Sequence, residues 1–250
     1  MKSLKVFLCA STLFIFMSKP SSAAPIIGIG SMYDVLISDK QSMTKRIYNT
    51  GDSTAFVRVE LHDVHSGSSE NETQSSINNV LTDAMDKNRL VVTPQRLIIP
   101  PGSFQSVRIL WPGSREKERY YRIRFIPVMP EDRDSFGLDK NTLDEYRKTA
   151  LNAGLNVLTG YGTVVIIQPE HAIFKTVVDE SMTDRMIIRN AGNATVSMEN
   201  LRYCSSINGK CEVATREFIL PDHTLTVKKK PGCGINFTLI EGRSKRAMNF

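Results

Sequence analysis

The chain is poor in the patterns that mark catalysts and membrane proteins. It holds four cysteines, four histidines and one tryptophan among 250 residues. There is no Cys-x-x-Cys pair, so a zinc site of the usual paired spacing has no framework. No Gly-x-Ser-x-Gly elbow presents a nucleophile, and no two carboxylates stand at an evident shared position for acid and base work. The one tempting cluster is His62-Asp63-Val64-His65. On a strand, residues three apart point to opposite faces, so a metal-dependent hydrolase using both histidines has its ligands turned apart. His171 and His223 stand alone, and the Gly28-Ile29-Gly30 pair lacks the third glycine and following helix of a nucleotide loop. The residues therefore predict no enzyme, no metal and no cofactor.

Long apolar runs are also scarce. The only one, Val6 to Met17, follows Lys2 and Lys5 and precedes Ser21-Ser22-Ala23-Ala24. It is shorter than the roughly eighteen residues a spanning helix needs. Charge before it and small residues after it make residues 1–23 a secretory leader, with the mature chain starting near Ala24. Nothing around Cys9 suggests a lipid anchor, so the expected product is exported and free of the membrane. The formal charge of +6 includes Lys2, Lys5 and Lys19 of the leader, which leaves a mild +3 on the mature chain. Its basic clusters, Lys228-Lys229-Lys230 and Arg243, Lys245, Arg246, have no aromatic residues interleaved as a nucleic-acid binder would require, and read as solvated charge. Three cysteines remain after the leader. In an oxidising compartment two should pair; Cys204 and Cys211 are nearest in sequence, though either could bond Cys233.

What the chain does have is alternation. Ala55 to Val64, Phe104 to Trp111 and Tyr120 to Pro127 place apolar residues at a period of two, with Tyr121, Ile123 and Phe125 opposite Tyr120, Arg122 and Arg124. Ile26 to Ile37, Leu90 to Val92 and Gln95 to Ile99 add shorter strands, and Pro100-Pro101-Gly102 a tight turn. Only Ile77 to Met85 shows helical spacing before Pro127. Beyond Pro169 come strands at Ile173–Val178, Met186–Arg189, Asn193–Cys204, Arg216–Leu220, Leu225–Val227 and Ile235–Ile240. Many short strands with turns between them predict an all-β chain of two sandwiches, divided near Gln168 to Glu170.

Leu151 to Pro169 stands apart. Leu151, Ala153, Leu155, Val157 and Thr159 form one apolar row at a period of two, while Asn152, Asn156 and three glycines interrupt the other face. Val164 to Ile167 then run on as a continuous apolar strand. The row is either an ordinary core strand or an edge offered to another protein. Leu143, Tyr146, Ala150 and Leu151 also fit a helix face, so this connection can be helical when free and become strand when a partner supplies the ladder.

Thr93-Pro94-Gln95-Arg96-Leu97-Ile98-Ile99-Pro100-Pro101-Gly102, followed by Gln105 to Ile109, resembles the signature of periplasmic pilus (fimbrial) chaperones. Ser42-Met43-Thr44, the Arg124-Phe125-Ile126-Pro127 strand end and the Ile166-Ile167-Gln168-Pro169 exit are similar too. The Tyr203 to Cys211 hairpin looks most like the alternate class serving coli-surface-antigen-type fimbriae and the common pilus. The resemblance implies two immunoglobulin-like domains in an L-shaped arrangement: a leader at 1–23, a first domain at 24–168 and a second at 169–250. It further implies that the last long strand of the first domain is lent to an incomplete pilin, which is then handed to an outer-membrane usher from the periplasm. The lent side chains would be Leu155, Val157 and Thr159, with Leu151 and Ala153 extending the row.

In better-known members an arginine of the first strand and a lysine of the donating strand hold the pilin's terminal carboxylate. The matching positions here are Tyr33 and Val164, neither a cation, and Arg122 on the neighbouring strand is the substitute, since a guanidinium can grip a carboxylate with two bonds. The arginine usual before the exit proline is Gln168. A pilin or adhesin of the same system is the rival reading, disfavoured because a pilin lacks its final strand and has no second domain. Free edges also leave self-association of the chain open.

Overall fold

The computed structural model describes residues 24–64, 89–130, 136–152 and 158–250. The leader and the expected helix at Ile77–Met85 lie outside the described residues. Most of the regular structure described is strand, in four sheets.

The first nine strands are β1 (Ile27–Gly28), β2 (Tyr33–Leu36), β3 (Ser42–Asn49), β4 (Ala55–Asp63), β5 (Val91–Thr93), β6 (Arg96–Ile99), β7 (Phe104–Leu110), β8 (Arg119–Pro127) and β9 (Tyr161–Ile167). They make one sheet of order β1-β3-β7-β5 and a second of order β2-β9-β8-β4-β6. The expected strand at Ile26–Ile37 is thus two strands in two sheets. Gly30, at φ +68°, takes the left-handed conformation that lets the chain cross between them. Between the sheets lies a core that includes Ile47, Val57, Leu97, Ile109, Trp111, Ile123, Phe125, Val165 and Ile167, each at most 1% exposed. The alternation read along β8 is the one observed: Tyr121, Ile123 and Phe125 are buried while their neighbours are half-exposed.

Seven more strands follow: β10 (Thr176–Asp179), β11 (Arg185–Asn190), β12 (Val196–Ser205), β13 (Thr215–Ile219), β14 (Thr224–Lys228), β15 (Cys233–Glu241) and β16 (Ser244–Asn249). They form sheets of order β10-β11-β14 and β13-β12-β15-β16 around a separate core of Met186, Ile188, Val196, Met198, Ile235, Phe237 and Leu239. The last strand was not expected: Lys245 and Arg246, read as solvated charge, are exposed, but they lie on β16, an edge whose backbone pairs with β15. An edge strand that buries little carries no apolar alternation, and charge on it discourages pairing with a further chain. Cys204 and Cys211 are joined by a disulfide, and Cys233 is a free thiol.

The two sandwiches share a local device. Asn49 and Asn190 are buried, and each side-chain amide donates to two carbonyls, Asn49 to Ser53 and Ile99, Asn190 to Ala194 and Ile219. Each side-chain oxygen accepts from a glycine two residues on, Gly51 or Gly192. A Cβ on either glycine would lie 2.4 Å from Ala24 O or 2.1 Å from Ile173 O, so the Asn-x-Gly turn admits only glycine. The repeated Asn-Thr-Gly and Asn-Ala-Gly are visible in the sequence as an internal echo of the two-sandwich plan.

A helix, α1 (Lys140–Asn152), interrupts the described strands between β8 and β9. Asp139 caps it, accepting from Thr142 N at 3.0 Å and Thr142 Oγ1 at 2.6 Å, and these bonds hold its carboxyl below the usual range. Leu143 is buried, and Tyr146 packs edge-on against Phe56 and donates to Thr54 O at 3.0 Å, so this part of the predicted helix face docks on the outer side of β4. Burial pushes the Tyr146 phenol up.

Candidate partner-binding surface

Three strands position the candidate site. β9 lies between β2, which runs parallel to it, and β8, which runs antiparallel. The pairing with β2 covers Val164 to Ile167 only, whereas β8 pairs with all of Tyr161 to Ile167. Among the described residues, Tyr161 to Thr163 therefore have a ladder partner on one flank. Leu158, Thr159 and Gly160 lead into this half-open end as irregular chain, and a Cβ on Gly160 would approach Phe125 O to 3.3 Å, so the chain still runs against the end of β8.

Of the two patterns that the sequence leaves open from Leu151, helix is the one observed in the free chain. Leu151 lies in the last turn of α1, and strand begins at Tyr161. The local reason is legible: the helix is capped at Asp139 and anchored by Leu143 and Tyr146, while Gly160 and Gly162 weaken strand pairing ahead of Val164. Ala153, Leu155 and Val157 lie outside the described residues, and Thr159 is exposed. The parity of the row is nonetheless set by β9. Thr163, Val165 and Ile167 face the core, and a strand extended upstream in the same phase would put Thr159, Val157, Leu155, Ala153 and Leu151 on that same side.

On the opposite face, the residues expected at the carboxylate anchor fall in one row across the sheet. Tyr33 opposes Val164, Val164 opposes Arg122, and Arg122 opposes His62. Tyr33 is 43% exposed, and its ring stacks on Phe218 of β13 with centroids 4.2 Å apart. It thus serves a contact between the sandwiches. Arg122 is the cation of this row. His62 Nε2 lies 3.6 Å from Glu60 Oε2, within ion-pair reach but beyond hydrogen-bond length. His65 lies outside the described residues, and no group of three metal-ligating side chains occurs among the described ones.

The junction with the second sandwich uses residues whose sequence pattern does not mark them. Arg115 is buried and donates to Leu36 O at 3.2 Å, Ile37 O at 3.1 Å, Gln168 O at 3.2 Å and also Lys40 O. Its guanidinium thereby ties the ends of β2 and β9 together beside Gln168, the position at which the family resemblance places an arginine. Burial lowers its pKa, opposed by the charge of Glu170. Glu118 bridges the sandwiches: it accepts from Thr195 N at 2.7 Å, from Thr195 Oγ1, and from Tyr120 Oη at 2.5 Å. Burial pushes the Glu118 carboxyl up, against the pull of these bonds, and pushes the Tyr120 phenol up as well. Arg216 reaches Ser31 Oγ at 3.4 Å, and Arg243 pairs with Asp39. In the sequence, Ser114 to Arg119 reads as a polar charged loop, and nothing in its pattern separates the buried Arg115 and half-buried Glu118 from the exposed Glu116 and Lys117.

No protein-family model matches the chain. It is 25% identical over 205 residues to the "Probable fimbrial chaperone EcpB" of Escherichia coli, spanning 80% of each protein. It is 27% identical over 119 residues to a CFA/I fimbrial protein of Escherichia coli, covering 48% of this chain and 46% of that one, or about half its length. In fold it is similar to the class 5 fimbriae chaperone CfaA, with a TM-score of 0.52 at 21% identity over 90% of this chain and 98% of that one. It is also similar to a chain of the Salmonella enterica SafA pilin–SafB chaperone complex, with a TM-score of 0.50 at 13% identity over 90% and 95% of the two chains. The two structural likenesses concern the fold, the paired β-sandwiches of pilus chaperones. Over four fifths of its length the chain is similar in sequence to a probable fimbrial chaperone, and its fold is that of the fimbrial chaperones.

Proposed function

We propose that the chain is a periplasmic chaperone of fimbrial subunits that caps an incomplete pilin by lending it a strand and delivers it to an outer-membrane usher. In this reading residues 1–23 are the leader, 24–168 the domain carrying the donor strand, and 169–250 the second domain. The observation that carries it is the half-open start of β9: among the described residues Tyr161 to Thr163 are paired to β8 alone, and the sequence continues upstream with an apolar row in the phase of the core. An unfinished sheet can add to that flank by backbone pairing, with alternate side chains filling its groove, the mode known for donor-strand complementation. Capping the client's free edge keeps it from pairing with other chains.

The energetics fit a segment that changes state. Ordering residues that are helix or loop in the free chain costs about 1–2 kcal/mol each. Burying Leu155 and Val157 returns roughly 1.5–3 kcal/mol apiece, and the new ladder supplies the remainder. Thr159, smaller and partly polar, grips less. Arg122 receives the client's terminal carboxylate, with Tyr33 beside it as a wall braced by Phe218. The name of the SafA–SafB complex, a chaperone with its pilin, is consistent with a pilin as the class of client.

The test is co-expression with adjacent fimbrial genes followed by pull-down. The unaltered chain is expected to retain a pilin, and replacing Leu155 and Val157 together by aspartate is expected to abolish retention while circular dichroism and the unfolding midpoint stay unchanged. Retention unaffected by the double replacement would remove the row from the binding site.

A further inference from the structure

Three polar side chains meet inside the first sandwich where β2 stops pairing with β9. Lys45 of β3 is 5% exposed, Thr163 of β9 is fully buried, and Asp34 of β2, 12% exposed at its side chain, lies between them. Asp34 Oδ2 accepts from Lys45 Nζ at 2.7 Å and from Thr163 Oγ1 at 2.7 Å, and Lys45 Nζ also donates to Ser31 O at 2.7 Å. The network spans both sheets, since β3 belongs to one and β2 and β9 to the other. A buried ion pair is a poor source of stability, because desolvation offsets most of the attraction and apolar replacements often do as well. Its distinctive capacity is to specify one arrangement among several.

β9 has an arrangement that needs specifying. A slip by one residue would turn Val165 and Ile167 outward and is excluded by hydrophobicity. A slip by two keeps the apolar residues inward: Val165 takes the place of Ile167, and Thr163 that of Val165. The outer face resists little, for Gly160 and Gly162 have no side chains and Val164 can follow Ile166. In the inward row only Thr163 carries the hydroxyl that Asp34 uses. After a two-residue slip the position from which Thr163 bonds Asp34 would hold Val165, losing a donor, or Tyr161, whose ring is far larger. The upstream residues would move by about 6.6 Å, so a client groove built for Leu155 would meet Val157 or Ala153.

We propose that the Lys45–Asp34–Thr163 network is a register lock on β9, with Thr163 the positioning residue that determines which side chains of the lent row face each client pocket. This rests on the strand-lending reading given above.

Register can be read directly by oxidative cross-linking of cysteine pairs in a Cys233→Ser background. Gly162 opposes Arg124, and a Cβ at Gly162 meets nothing closer than 3.7 Å, so Gly162→Cys with Arg124→Cys reports the native register and Gly162→Cys with Arg122→Cys a slipped one. With Thr163 intact, only the native pair is expected to close. Thr163→Val, which keeps the shape and removes the hydroxyl, is expected to raise the slipped product at least about tenfold and to lower retention of a co-expressed pilin by a similar factor. Thr163→Ser is expected to restore both. A Thr163→Val protein that cross-links only in the native register, even with a lowered unfolding midpoint, would overturn the lock and leave the network a structural plug. Should the unaltered chain retain no pilin, strand lending fails, while the cross-linking still decides whether the network fixes register.

Discussion

At the scale of single residues, Glu118 and Arg122 do different work with charge. Glu118 takes three hydrogen bonds, two from Thr195 across the sandwiches and one from Tyr120 of its own sandwich, none from a charged donor, and burial raises its pKa. A carboxyl whose folded pKa is raised contributes fully below the unfolded value, and that contribution is lost as pH rises through the folded one. The unfolding midpoint is therefore expected to climb as pH falls through the raised value toward the ordinary carboxylate range, and Glu118→Gln to flatten this part of the profile in thermal melts across pH. Asp139 and Asp179, whose carboxyls are held low by hydrogen bonds, act in the opposite sense at more acid pH and are unaffected by that replacement. Arg122 is expected to act on binding alone: Arg122→Ala should weaken pilin retention several-fold more than Arg189→Ala on the exposed side of β11, and equal effects would remove Arg122 from the anchor. That Arg122 points away from the core was legible because it stands in an alternating strand. Arg115 and Glu118 were not, since burial in a charged loop is decided by what the second sandwich covers.

At the scale of elements, the alternating strands β4, β7 and β8 were readable from composition because each buries one face and exposes the other. β16 was unreadable for the converse reason, its side chains being almost all exposed. The stretch from Leu151 contained both a helical and an extended pattern, and the cap at Asp139 with the docking of Leu143 and Tyr146 carries the helix through Asn152. Turns were readable as turns, but the demand for glycine was not. At Gly192 a Cβ would fall 2.1 Å from a backbone carbonyl that cannot yield. Gly192→Ala is accordingly expected to lower stability by about 1–3 kcal/mol in denaturant unfolding, whereas Gly209→Ala, where the added Cβ meets nothing and the left-handed φ is the only obstacle, should cost less.

At the scale of the whole molecule, the two cores share no residue, so the relation between the sandwiches rests on a few contacts: the Tyr33–Phe218 stack, Glu118 with Thr195, Arg216 with Ser31 and Arg243 with Asp39. An aromatic pair of this kind contributes about 0.5–1.5 kcal/mol beyond its buried area. Phe218→Ala is expected to broaden the distribution of distances between the sandwiches in small-angle scattering or spin-label measurements while leaving the unfolding of each core in place; an unchanged distribution would show the stack to be dispensable. The amino-acid order alone carried the all-β class, the two-sandwich plan and the alternation of the apolar strands, because a period of two is a local property that needs no knowledge of neighbours. Which flank of β9 lies open, which arginine is buried, and how Lys45, Asp34 and Thr163 come together were decided by tertiary structure, because each depends on strands distant in the chain arriving side by side.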